Sequence, residues 1–199
     1  MSVTKLEFSV NDLAGFTAPW TDLMVADLVE EVEKTEALSA TDMRLALSIK
    51  GYREIHEVLE AETRGKYAVA ALRAMTLAFR RYAKEKPGLS AATFRSPIVE
   101  SAEWMQAADA VQQLFFRALK QCGLDEIAAG HALRMIRSLV HGYVISEMSG
   151  SFYLPADQDE SFDLAVDVFL RGLPALMPCS HEYRSRSTDV LMTPDARRV

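Results

Sequence analysis

Between residues 39 and 173, apolar side chains recur every three or four positions, and nowhere in that span do they alternate one by one. A period near 3.6 lines such residues along one side of a helix, whereas a half-buried strand needs a period of two. The spacing therefore predicts an all-α chain of amphipathic helices joined by short loops. Leu45, Ile49, Tyr52, Ile55 and Leu59 mark a helix from Ser39 or Thr41 to the Arg64-Gly65 break. Leu72, Met75, Phe79 and Tyr82 mark the next, from Lys66 to Lys84. Lys86-Pro87-Gly88 ends it, because proline cannot continue a helix and glycine accepts a left-handed turn. Leu89 to Phe94 adds one more turn before Ser96-Pro97.

The second half has the same character. Trp104, Ala108, Val111, Phe115 and Ala118 place a buried side on residues 99–121, which Gly123 caps. Asp125 caps a further helix carrying Ala128, Ala132, Met135, Leu139 and Met148 up to Gly150. Phe152-Tyr153-Leu154-Pro155 reads as an apolar loop. Phe162, Leu164, Ala165, Val168 and Phe169 define the last helix, Gln158 to Arg171.

The N-terminal fifth differs. Residues 1–20 are irregular, interrupted by Gly15 and Pro19; Thr21 then caps a short helix with Val25, Leu28, Val29 and Val32 on one side. Residues 1–45 hold three basic against nine acidic groups, a balance that accounts for the whole chain's net charge of −6. Such a segment repels a phosphate backbone, so its charge does not support DNA as a partner.

Chemistry-bearing patterns are sparse. The histidines, His56, His131, His141 and His181, lack the Glu-x-x-His spacing that a bundle metal site uses, and no metal or cofactor is expected. Phosphate-cradling glycine motifs and a nucleophile elbow are absent, and Cys122 falls at a helix C-terminus, where the dipole raises a thiol pKa. No catalytic residue is assigned, and the expectation is a protein that is not an enzyme. Cys122 and Cys179 stand far apart, which fits a reducing cytoplasmic setting. No signal segment opens the chain and no apolar run approaches about 20 residues, so no membrane partner is expected.

Aromatic and methionine side chains are the remaining signal. Tyr67, Met75, Phe79, Tyr82, Trp104, Phe115, Met135 and His141 are candidates for the lining of a small-molecule pocket between helices; for any one apolar member, simple core packing is the commoner explanation. The stretch "SLVHGYVISEMSG", residues 138–150, sets His141 and Gly142 inside a helix. Glycine there costs about 1 kcal/mol against alanine. Close approach of a second helix would justify Gly142, and a hydrogen-bonded carbonyl or a cavity wall would justify His141.

Three stretches together resemble the tetracycline-repressor (TetR) family of helical regulators. "YAKEKPGLSAATF", residues 82–94, is similar to the family's aromatic, Pro-Gly-Leu and Phe close of one helix. "IRSLVHGYVISEMSGSF", residues 136–152, resembles the His-Gly segment of its WHG-type ligand domains, with Val140 in the tryptophan's place. "DESFDLAVDVFLRGL", residues 159–173, is similar to its final helix.

The resemblance implies a TetR-like helical bundle whose last two long helices form a four-helix bundle with a second copy. Gly142, Met148, Phe162 and Phe169 would then pack across the homodimer, and a small apolar or amphipathic ligand would occupy the pocket. It implies a ligand-binding and dimerisation domain over 39–176; beyond it no sustained period remains, and residues 177–199 read as a flexible tail. The family's N-terminal helix-turn-helix can be laid on "LVEEVEKTEAL", residues 28–38, where Leu28, Glu36 and Leu38 agree. Val29 and Glu31 stand in place of its tyrosine and histidine, and Asp22 and Pro19 fall at a turn glycine and inside a helix. Glu30 and Glu31 would face phosphates, so residues 1–38 read as a degenerate or rebuilt region. The function implied is a ligand-responsive transcriptional regulator; the alternative is a sensor or interaction protein that no longer binds DNA.

Overall fold

The computed structural model describes residues 40–94 and 101–177, together with the helical residues Asp27 and Glu31. These residues form α1 (Ala40–Thr63), α2 (Ala68–Glu85), α3 (Pro87–Ala92), α4 (Ala102–Gln121), α5 (Glu126–Met148) and α6 (Gln158–Gly172). A 3-10 turn, Leu173–Leu176, closes the fold, and no strand occurs among the described residues. The described residues are all-α, as the periodicity predicts. The expected helix after Thr21 (Asp27 and Glu31 apart), the boundary at residue 38 and the tail from residue 178 lie outside the described residues.

Local chemistry sets the helix ends. Ser101 Oγ accepts the Trp104 N–H at 3.2 Å, so α4 starts at Ala102 rather than at residue 99. Asp125 caps α5 by accepting the Ala128 N–H at 2.8 Å, as the sequence suggests. Asp157 does the same for α6, accepting from Asp159 and Glu160 at 2.8 and 3.0 Å. Gly123 leaves α4 at φ +89°, a conformation a side chain would strain.

α2 is the central helix and touches α1, α3, α4, α5 and α6. Its predicted stripe, Leu72, Met75, Phe79 and Tyr82, is buried in full. α5 departs from expectation by phase. Its buried row is Ala129, Leu133, Ile136, Val140 and Val144, whereas Met135 is 49% exposed. One residue's displacement on a helix is about 100° of rotation, enough to carry Met135 out of the core. On α6, Phe162, Val166 and Leu170 face inward, leaving Leu164 and Val168 exposed. On α1 the buried row begins at Met43 and Leu47, and Leu45 is only half-buried.

Two polar joints tie the helices together. Arg80 of α2 is buried and forks onto Glu147 of α5, Nε to Oε2 at 2.8 Å and Nη2 to Oε1 at 2.5 Å. The same guanidinium reaches Asp159 of α6 at 2.7 Å and lies over the Phe162 and Tyr143 rings at 4.8 and 5.4 Å. One planar cation thus fixes three helices at once.

The second joint holds Asp27 and Glu31 to the bundle. Asp27 Oδ2 accepts the Gly88 and Leu89 N–H groups, at 2.8 and 3.2 Å, at the start of α3. Glu31 is buried and pairs with Lys50 of α1, with Lys86 Nζ 3.8 Å away. Glu31 therefore does not face outward toward phosphates, and part of the apparent acidity of the N-terminal fifth is used inside the protein. Asp27→Ala should lower unfolding stability by about 0.5–2 kcal/mol, the range for losing a helix-start acceptor. Asp27→Asn, which keeps an acceptor oxygen, should cost less; equal losses in urea titrations would show that the two bonds are not what matters.

Candidate ligand site

Helices α1, α2, α4 and α5 and the end of α3 converge on a run of rings. His141 stacks on Phe94 at 3.8 Å, Phe94 on Phe79 at 6.3 Å, and Phe79 tilts against Phe115 at 6.5 Å. Beside them lies a void of ≈ 20 Å³ walled by Ile55, Phe79, Val111, Phe115 and Leu133, with Tyr52, Thr93, Gln112 and Arg137 as its polar side. That is room for about one water. The core therefore fills itself in this state.

The polar side is built around one carbonyl. Thr93 O, just past the end of α3, accepts from Tyr52 Oη at 2.6 Å and from Arg137 Nη2 at 3.2 Å. The Arg137 guanidinium also sits 5.3 Å from the centre of the Phe94 ring. Burial pushes the Tyr52 phenol upward, and the nearby Arg137 charge opposes that push. Burial first, then Arg137, holds the His141 imidazole below its ordinary value, so the neutral ring is favoured. The stability this confers is complete above the ordinary imidazole range and is lost as pH falls through it toward the depressed value.

The sequence-derived candidates are distributed unevenly around this site. Phe79 and Phe115 wall the void, whereas His141 is not part of its lining and stacks on Phe94. Met75 is fully buried but is not part of the wall. Trp104 stands one layer outside, edge-on to Tyr52 at 5.9 Å, with its indole N–H donating to Ser48 Oγ at 2.9 Å. Tyr82 turns the other way, toward Gly51 O at 3.5 Å and Glu54 at 3.4 Å. Burial, then Glu54, with Asp27 and Glu31 behind, raises its phenol far above the ordinary value.

Tyr67 is 67% exposed at the start of α2 and, like Met135, lies away from the void. No hydrogen bond to His141 occurs among the described residues, so its ring is placed by stacking on Phe94 rather than by a carbonyl. Of the residues expected at a dimer surface, Phe162 is wholly buried inside the protomer, beneath Arg80 and edge-on to Tyr143 at 4.9 Å. Met148 and Phe169 are half-buried, and Gly142 is exposed. Cys122 follows α4 as expected, with its thiol raised by burial.

Tyr52, Thr93, Phe94, Gln112 and Arg137 were not singled out for the site by sequence. One signal existed: Arg137 and His141 are four apart on α5 and share a face. Two open surface grooves also border α1 and α4, of ≈ 480 and ≈ 270 Å³; both are lined by Arg53, Glu57 and Glu103. The Arg53–Glu103 bridge, 2.7 Å, spans α1 and α4 there. Among the described residues no group of three or more His, Cys, Asp or Glu side chains could hold a metal ion, and no helix is long and apolar enough to cross a membrane.

No curated protein sequence matches the chain significantly. A solved structure of a Rhodococcus sp. RHA1 protein of unknown function is similar in fold, with a TM-score of 0.58 at 19% identity over 73% of this chain and 83% of that one. Residues 72–169 match the family described as tetracyclin repressor-like, C-terminal domain. That span runs from the second turn of α2 to the end of α6 and contains the Arg80 joint and most of the void's walls, so over these residues the chain carries a TetR-like C-terminal domain.

Proposed function

We propose that this chain is a homodimeric, ligand-responsive transcriptional regulator in which α3 links the ligand site to the N-terminal segment. One observation carries the reading. The six-residue α3 meets Asp27 at its first turn and Tyr52 and Arg137 at the Thr93 carbonyl just beyond its end. A guest that draws Arg137 or Tyr52 away from Thr93 releases one end of α3, and the Asp27 contacts sit at the other. Ligand affinity that differs between the two α3 positions shifts their populations. In this reading residues 39–176 form the ligand-binding and dimerisation unit, and Phe79, Phe115 and His141 belong to its ligand wall.

The dimer surface follows from what the protomer leaves uncovered. Met135, Leu139 and Gly142 fall in one row on α5, and Leu164 and Val168 in another on α6. Leu164 and Val168 are 58% and 69% exposed, which a solvated helix face does not need. A β-carbon added at Gly142 meets nothing within 4 Å in the protomer. Gly142→Ala should therefore leave the protomer fold intact while weakening dimer association about tenfold or more through overpacking. An unchanged association constant in sedimentation equilibrium would remove Gly142 from the interface.

A mobility-shift assay of the folded dimer at low salt, on genomic fragments, tests the regulator reading. Retardation that a bound ligand relieves supports it. No retardation of any fragment leaves the second reading, a ligand sensor without DNA, which the acidic excess of residues 1–45 favours.

A further inference from the structure

We propose that the void beside Tyr52 and Arg137 binds the carboxylate of a monoanionic ligand with an apolar body, an aliphatic or aryl-alkyl acid. The inference rests on the ligand-site reading above and names the class of guest. Its basis is an imbalance at Arg137. Arg80 is answered by Glu147 and Asp159, and Arg73 by Asp163 and Asp167. Arg137 has no carboxylate within ion-pair reach among the described residues; it has a carbonyl, the Tyr52 hydroxyl and the Phe94 ring. A guanidinium carries five donors in a planar fork, and a carboxylate accepts two of them side by side.

The surroundings select further. Asp and Glu are absent from the walls of the void, while Ile55, Phe79, Val111, Phe115 and Leu133 offer an apolar lining. Gln112 and Tyr52 can serve a second oxygen. Arg137 is the one cation in that lining, and the last carbonyls of α3 turn the negative end of a helix toward it. One charge is thus accommodated, and a dianionic phosphate is not. The ≈ 20 Å³ void must widen for the guest, by displacement of the side chains that wall it, the Phe79 and Phe115 rings among them.

The test uses the full chain and three probes, octanoate, decanoate and 4-phenylbutanoate, each against its primary amide, by calorimetry and thermal shift. Carboxylates are expected to bind about tenfold or more tightly than their amides. Arg137→Gln should abolish that preference, and Arg137→Lys should keep part of it. Amides binding as tightly as acids, or a preference that survives in a folded Arg137→Gln, overturns the anion assignment and leaves the pocket standing. No binding of either class to the folded wild type removes the pocket itself. Should Arg137→Gln fail to fold, the acid-to-amide ratio in the wild type and in Tyr52→Phe decides: a wild-type ratio near one overturns the proposal, and a high ratio reduced in Tyr52→Phe upholds it.

Discussion

Arg80→Ala is expected to lower the unfolding free energy by about 3–5 kcal/mol, the range for removing one partner of a buried ion pair. The physical cost falls on the group left behind. The Glu147 side chain is 4% exposed, and without Arg80 its described ionic partner is Lys84, at 3.2 Å and itself half in solvent. Lys84 offsets part of the loss, which places the expectation in the lower half of the range. The Phe162 and Tyr143 rings also lose the cation packed over them. Replacing both partners, Arg80→Met with Glu147→Leu, should recover most of the loss, because no buried charge then remains unpaired. Asp159 behaves differently. Its side chain is 79% exposed, so solvent screens the pair and Asp159→Asn should change stability far less than Arg80→Ala. Arg80 holds the Asp159 carboxyl below its ordinary value. Its small contribution is therefore present above the ordinary carboxylate range and lost as pH falls through the depressed value. Urea titrations at neutral pH check the series; a loss under 1 kcal/mol for Arg80→Ala would show that water, not the guanidinium, satisfies Glu147.

The helices were legible because their punctuation is chemical. Lys86-Pro87-Gly88, Gly123 and Asp125 each mark a boundary within one or two residues of where the chain turns. Phase was harder to read where a helix has two apolar sides. On α5, Met135 and Leu139 compete with Leu133, Ile136 and Val140 as a helical row, and sequence cannot rank one apolar side over the other. Alanines at 128, 129 and 132 blur the contrast further. Glu31 shows a second limit. Its charge was counted correctly, but its direction depends on Lys50 and Lys86, 19 and 55 residues away, which no local pattern connects. Arg137 shows a third. A lone arginine on a helix reads as solvated, and only the fold reveals that it faces a carbonyl and a ring. Phe79 and Phe115, singled out by sequence, do wall the void; its polar side, Tyr52, Thr93, Gln112 and Arg137, was not singled out.

Gly51→Ala should destabilise the protein by about 1–3 kcal/mol, against the gain of up to about 1 kcal/mol that helix propensity alone would give. Gly51 lies inside α1 in the row Met43, Leu47, Gly51, Ile55 and Leu59. The row is spaced by four, and every side chain in it is buried. A methyl at position 51 would lie 2.6 Å from the Leu89 carbonyl oxygen and 2.9 Å from Thr93 Cγ2. The threonine methyl could rotate; the carbonyl belongs to the α3 backbone and can yield only if α3 moves as a unit. That unit is tied at its start to Asp27 and, just past its end, to Tyr52 and Arg137. The same substitution should therefore weaken octanoate binding in any variant that still folds, because Thr93, Tyr52 and Arg137 shift together. Gly142→Ala provides the control, since the same methyl on α5 finds open space within the protomer. Thermal melts of the two variants at matched dimer occupancy should separate them, with Gly51→Ala lower and Gly142→Ala unchanged or higher. Equal melting temperatures would mean that α1 and α3 do not approach as closely as the carbonyl contact requires, and the proposed link from ligand site to Asp27 would lose its fulcrum.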